Sequence, residues 1–273
     1  MILRAEIFLK GLRFPESPRW HDNKLWFSDI DARKVMTVDM NGKAEIIVKT
    51  PAFPSGLGWL PDNKLLIVSV NDKRLLRLDP DGLVEFADLS EIGTHWYNDM
   101  CVDTQGRAYI GNMGYDLWND PFVPAEIVLV TPDGNARVVV DNMAFPNGTV
   151  ITPDEKTLIV GETMKGCLTA FDIEEDGSLT GRRIWSKVKS PDGICLDADG
   201  GIWVASPGTG KVLHVLEGGK ITHKFKVSTN QQPYACMLGG SDRCTLFIAT
   251  SQHNRRGGCI ETIKVDVPGA GFP

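Results

Sequence analysis

The stretch Ser190-Pro191-Asp192-Gly193-Ile194-Cys195-Leu196, followed by Gly201-Ile202-Trp203-Val204-Ala205-Ser206, reads as a strand, a turn and a second strand. β-Branched and aromatic runs bounded by Pro, Asp and Gly carry that signal. Upstream, Phe145-Pro146-Asn147-Gly148 leads into Thr149-Val150-Ile151, and Leu158-Ile159-Val160-Gly161-Glu162 follows. Further out stand Phe14-Pro15-Glu16, Phe53-Pro54-Ser55, Trp96-Tyr97-Asn98 and Pro233-Tyr234-Ala235, each ahead of its own apolar run. The marker positions 16, 55, 98, 147, 192 and 235 are 39, 43, 49, 45 and 43 residues apart. A period near ~44 residues is that of one four-stranded propeller blade. Helical periodicity is weak throughout.

Within five of the six repeats an x-Gly dipeptide recurs at one place: Asn41-Gly42, Asp81-Gly82, Asp133-Gly134, Asp176-Gly177 and Gly218-Gly219. Such pairs tolerate the positive φ that tight hairpins demand. The sixth repeat has no such turn and only three strands, whereas Ala5–Lys10 belongs to no repeat. The N-terminal strand is therefore expected to complete the last blade and close the ring, removing an open sheet edge. The reading is all-β: one six-bladed β-propeller domain over residues 1–273, with a loose tail from Pro268 to Pro273.

Composition excludes several classes. Of the 273 residues, 42% are hydrophobic and 23% charged, as in an ordinary globular protein rather than a disordered chain. The formal charge of −6, with no basic cluster, argues against nucleic acid as a partner. No stretch approaches a membrane span, and Arg4 and Glu6 interrupt what a signal peptide would need to keep apolar. Six cysteines without CxxC spacing read as reduced thiols. These features predict a cytoplasmic protein, a monomer or small homo-oligomer, with no membrane partner.

The first strand of each blade lines the channel of a propeller, so the six marker residues are expected to converge on its axis. Four of them (Glu16, Asn98, Asn147 and Asp192) bear carboxylate or amide oxygen where a structural position would be small or apolar. Two carboxylates and two amides facing one another call for a cation. All-oxygen donors suit hard divalent ions: calcium first, then magnesium or manganese, with zinc less suited.

Pro15-Glu16-Ser17-Pro18-Arg19-Trp20, Tyr97-Asn98-Asp99, Phe145-Pro146-Asn147-Gly148 and Ser190-Pro191-Asp192-Gly193-Ile194-Cys195-Leu196-Asp197 resemble the motifs of the SMP-30/gluconolactonase/LRE-like family. The resemblance runs from about Phe14 to Ser251. It implies a six-bladed propeller with a divalent metal on its axis, held by Glu16, Asn147 and Asp192, with Asn98 beside them on metal or substrate. It also implies hydrolysis of lactones, relatives cleaving phosphofluoridate esters. One departure bears on the substrate: the animal gluconolactonases carry Arg two residues before the third-blade Asn, where this chain has Trp96.

The expected activity is therefore metal-dependent opening of a small-molecule lactone or ester, apolar or aromatic rather than a sugar lactone. The metal polarises the carbonyl and water, and Asp192 serves as base or as ligand alone. Trp96 with His95, the loop from Gly114 to Pro124 carrying Tyr115 and Trp118, Glu162, and Gln252 with His253 are the expected walls, with Trp96, Tyr115 and Trp118 against the substrate. His21, His214 and His223 are expected to lie away from this mouth, and Trp20, Trp26, Trp59, Trp185 and Trp203 to be core. Two other readings use the same fold: a binding scaffold without catalysis, and a metal-free propeller enzyme of the strictosidine-synthase type.

Overall fold

In the computed structural model, which describes residues 4–116 and 119–271, the strands form six separate four-stranded antiparallel sheets. Five sheets take their strands consecutively; the sixth takes three from the end of the chain and its outermost from Glu6–Leu12, paired with Gly258–Lys264. The chain is thus a six-bladed β-propeller closed by its N-terminal strand, as the repeat implies.

Each blade grades from apolar inside to polar outside. The second strands, such as Leu65–Ser69, Ile202–Ser206 and Thr245–Ser251, are buried along their whole length. A strand covered on both faces must be apolar at successive positions, which is why these runs show no alternation. Outermost strands such as Ile221–Lys226 and Ala44–Lys49 are largely solvent-facing. Apolar clusters bridge neighbouring blades: Leu66 and Val68 of blade 2 pack with Tyr97 and Met100 of blade 3, and Ile159 of blade 4 with Ile194 and Val204 of blade 5. No blade buries its faces alone, so ring formation and core formation are one event.

Adjacent inner strands come very close. Gly148 N–H donates to the Asp192 carbonyl at 3.2 Å, and Gly193 N–H to the Tyr234 carbonyl at 2.7 Å. A Cβ on Gly148 would lie 2.4 Å from the Ile194 nitrogen, and one on Gly193 2.4 Å from the Ala235 Cβ. The Asn-Gly and Asp-Gly signature of the marker motifs is therefore a steric requirement of the crowded axis. All five x-Gly hairpin turns join the third and fourth strands of their blades.

Two expectations need correction. The tail is anchored up to Gly271: Ala198 N–H donates to Pro268 O at 2.8 Å, Gly269 N–H to Arg243 O at 3.0 Å, and Ala270 N–H to Leu196 O at 3.0 Å. Residues 269–271 close a small cavity at the far end of the channel, lined also by Arg19, Cys101 and Cys195. Among the tryptophans, Trp20, Trp185 and Trp203 are buried, whereas Trp26 and Trp59 are half-buried, packed edge to face at 5.4 Å with His21 stacked on Trp59 at 4.1 Å.

Candidate active site at the channel mouth

The side chains at the marker positions are aimed by a repeated irregularity. In five blades the pairing of the first two strands slips at the marker: between Glu16 and Arg19, Pro54 and Leu57, Tyr97 and Met100, Pro146 and Thr149, and Pro233 and Ala235. In blade 5 the pairing begins only at Ile194, just after Asp192. A bulge breaks the in–out alternation and turns a side chain along the channel instead of across the sheet. The result is one cavity of about 460 Å³ lined by Glu16, Ser55, Asn98, Asn147 and Asp192. Its size suits a small molecule. Ala235 is buried against the inner strand of blade 5 and does not reach the cavity; its neighbour Tyr234 does.

The electrostatics are those of an anionic well. Burial, reinforced by the charge of Asp99, pushes the Glu16 carboxyl up to about 8. Burial, then the charges of Glu16 and Asp99, raise Asp192 well above the usual carboxylate range. Among the described residues neither carboxylate makes an ion pair; Arg19 instead engages Asp99 at 2.7 Å and the Met100 carbonyl at 2.6 Å. Asp99, which the sequence reading passed over, is thus the compensated carboxylate of the channel, and Glu16 with Asp192 is the uncompensated pair. Asn147 donates through Nδ2 to Thr163 Oγ1 at 3.3 Å, and its amide also bonds Asp192. Thr163 Oγ1 in turn donates to the Pro191 carbonyl at 2.7 Å. With Nδ2 directed at Thr163, Asn147 Oδ1 is left as an acceptor. No three His, Cys, Asp or Glu side chains gather into a ligand set among the described residues, so a cation here depends on amide as well as carboxylate oxygens.

The walls are largely apolar on blades 2 to 4 and mixed opposite, where Phe14, Ile30 and Tyr234 stand with His253 and Arg255. Phe53, Val70, Trp96, Met113, Tyr115 and Phe145 stand on blades 2 to 4. Trp96 is half-buried at the mouth, as expected. Tyr115 borders the cavity but is 5% exposed, wedged edge-on between Phe122 and Phe145, so it mainly holds the loop down. Trp118 lies outside the described residues. His253 lines the opposite wall with Arg255, whose guanidinium caps the Phe14 ring at 4.2 Å and meets Asp31 at 2.8 Å. The sequence reading missed Arg255 because it lies on a loop that belongs to no repeat position.

Three expected wall residues do not line the cavity. Glu162 is fully buried and clips the entry to its own blade: it accepts from Ala144 N–H at 2.9 Å and from Thr169 and Lys165. Asp29 does the same in blade 1, accepting from Phe14 N–H at 2.8 Å. A carboxylate ending a second strand is therefore a structural clip for the marker segment. His95 and Gln252 are likewise absent from the lining. His214 lies in an outer strand of blade 5, bonded to Asp197 at 2.6 Å and to Thr222, and His223 sits beside it, away from the mouth.

Comparison with known proteins agrees with this architecture. The chain is 27% identical over 280 residues to 6-deoxy-6-sulfogluconolactonase of Pseudomonas putida, covering 94% of this chain and 93% of that protein. It is 29% identical over 252 residues to regucalcin of Danio rerio, covering 86% and 82%. The crystal structure of a calcium-binding protein, regucalcin, from Agrobacterium tumefaciens superposes with a TM-score of 0.85 at 21% identity, covering 100% of this chain and 97% of that one. The family model for the SMP-30/gluconolactonase/LRE-like region matches residues 14–252, and the chain belongs to that family.

Proposed function

We propose that this protein is a metal-dependent hydrolase that opens lactone rings, acting on an apolar or aromatic lactone in preference to a sugar lactone. The family and its relatives indicate a lactonase. The observation that carries the metal dependence is the pair Glu16 and Asp192: two buried carboxyls on one cavity, without an ion-pair partner among the described residues, beside Asn147 and Asn98. Their oxygens match a hard divalent cation, calcium before magnesium, manganese or zinc.

Glu16, Asn147 and Asp192 would hold that cation, with Asn98 beside them on metal or substrate. When bound, the cation supplies a Lewis-acid charge for the ester carbonyl and lowers the pKa of water. Asp192 accepts the proton of the attacking water and returns it to the ring oxygen as the acyl C–O bond breaks, leaving a hydroxy acid. Its burial keeps bulk water from competing for that proton. The Asn147–Thr163–Pro191 chain fixes the amide so that its carbonyl stays on the site. Trp96 and its apolar neighbours provide the wall for the body of the substrate; apolar area removed from water there contributes ~25 cal/mol per Å². Six unpaired cysteines, five of them buried, suit a reducing compartment, which supports a cytoplasmic setting. No helix among the described residues is long and apolar enough to cross a membrane.

Metal analysis of the purified protein, followed by hydrolysis of dihydrocoumarin, a medium-chain aliphatic lactone and gluconolactone with and without EDTA, tests this reading. The expected result is a bound divalent ion, chelator-sensitive turnover and higher kcat/KM for the two apolar lactones, with Trp96→Arg narrowing the gap. Turnover unaffected by exhaustive chelation would refute the metal role, and a clear preference for gluconolactone would refute the substrate preference.

A further inference from the structure

We infer that Arg255 makes this pocket selective for lactones that carry an anionic group, bound at the side of the mouth opposite Trp96. The inference rests on the lactonase reading and narrows its substrate class: an apolar body against one wall, an anion against the other.

Position is the first argument. Arg255 lies between the second and third strands of blade 6, in a turn closed by its own N–H on the Gln252 carbonyl at 2.9 Å. Trp96 enters blade 3. In a ring of six, blades 3 and 6 face each other across the axis, so the indole and the guanidinium stand on opposite sides of one cavity that both line. The cation lost where Trp96 stands is regained across the mouth, and the substrate group it would recognise sits at the other end of the molecule.

The state of the guanidinium is the second argument. Arginine has five N–H donors. Here one face is covered by Phe14, and Nη2 meets Asp31 through a single 2.8 Å contact, not the two-pronged grip that a carboxylate can make. Nε is buried and finds no acceptor among the described residues. The side chain is 34% exposed, so a bound ligand reaches it without displacing the protein. A carboxylate or sulfonate on the substrate would accept from the Nη hydrogens that Asp31 leaves open. A neutral hydroxyl accepts fewer and weaker bonds, and a purely apolar ring displaces water from the exposed Nη donors without replacing its bonds.

The test uses a matched pair, dihydrocoumarin and its ring-carboxylated analogue, hydrolysed by the metal-loaded protein. A charge-assisted bond at this site should favour the anionic lactone by ~10- to 100-fold in kcat/KM, expressed mainly through KM. Arg255→Gln should bring that ratio towards one, and Arg255→Lys, which keeps the charge and the Phe14 contact, should retain part of it. Asp31→Asn, which removes the negative charge paired with Nη2, should raise it. A wild-type ratio near one, or a ratio unchanged in Arg255→Gln, overturns the proposal. If neither lactone is turned over, the lactonase reading fails, and the proposal is then decided by calorimetric binding of 2-naphthalenesulfonate, whose sulfonate is a poor ligand for hard cations. Binding at least ~10-fold tighter to wild type than to Arg255→Gln supports an anion site; equal binding to both overturns it.

Discussion

Glu16 makes the candidate site measurable through stability alone. Its carboxyl titrates near 4.5 in an unfolded chain and is pushed up to about 8 in the cation-free fold, by burial first and the Asp99 charge second. Between these values the folded protein holds a proton that the unfolded chain has released, so ν_U − ν_N is negative and stability falls as pH rises. A full displacement of that size corresponds to about 5 kcal/mol. Part of it lies outside the window from pH 5 to 8, and water entry and side-chain relaxation reduce it further, so a loss of ~1–3 kcal/mol between pH 5 and 8 is expected. For a chain of this size that is a fall of ~2–10 °C in Tm. A divalent ion reverses the sense: it competes with the protons, so its stabilising increment grows with pH and reaches ~4 kcal/mol at a thousandfold excess over Kd. The assay is a set of thermal melts at pH 5, 6, 7 and 8, with EDTA and with excess Ca²⁺, on wild type and Glu16→Gln. The difference between the two proteins isolates Glu16 from other titrating groups, such as Glu261, whose carboxyl is also raised by burial. A metal-free wild-type profile that is flat or rises from pH 5 to 8, parallel to that of Glu16→Gln, would falsify the claim of an uncompensated carboxyl pair.

Three further outcomes follow from the same geometry. Asp192→Asn should fold and lose most lactone turnover, whereas Glu16→Gln should weaken cation affinity and recover part of its activity at high metal; equal, wild-type-like rates for both at limiting metal refute the division of roles. Arg19→Met leaves Asp99 buried without its cation and should cost ~3–5 kcal/mol in denaturant unfolding, most of it restored by the second change Asp99→Asn; a loss below ~1 kcal/mol would show that Asp99 finds another partner. Gly148→Ala places a Cβ 2.4 Å from the Ile194 nitrogen and 2.6 Å from the Asp192 carbonyl oxygen, so the inner strands of blades 4 and 5 must part. A loss of ~1–3 kcal/mol together with weakened cation binding is expected, and an unchanged Tm would refute the steric account of this glycine.

Much of this was readable in the chain because a propeller repeats itself. Pro-x-Gly markers, buried second strands and x-Gly turns recur at nearly constant spacing, and each recurrence tests the others. The four oxygen-bearing markers stood out as departures from an otherwise apolar repeat, and the structure brings all four onto one cavity. Residues outside the repeat were not legible in this way. Arg255 sits on a loop of blade 6 with no counterpart elsewhere, and Phe14, Ser190 and Tyr234 are ordinary neighbours of marker residues until the closed ring brings them to the mouth. Glu162 misled because a carboxylate ending a strand near a site looks functional, while the hydrogen bonds from Ala144, Lys165 and Thr169 that occupy it are invisible in one dimension.

The sequence by itself determined the number of blades, the closure by the N-terminal strand and the set of marker oxygens, because these depend on local pattern and on the need of every strand edge for a partner. Tertiary structure alone decided which carboxylate is neutralised. Asp99 and Asp192 are equally plain in the sequence, but only packing brings Arg19 to 2.7 Å from Asp99 and leaves Glu16 and Asp192 facing each other without a guanidinium between them. It decided the fate of the tail as well, since residues 268–270 bind backbone groups of Leu196, Ala198 and Arg243 that carry no side-chain signal. The division has one cause. Periodic pattern reports what a residue's own strand requires, whereas charge compensation and backbone pairing between distant segments depend on distances that exist only once the ring has closed.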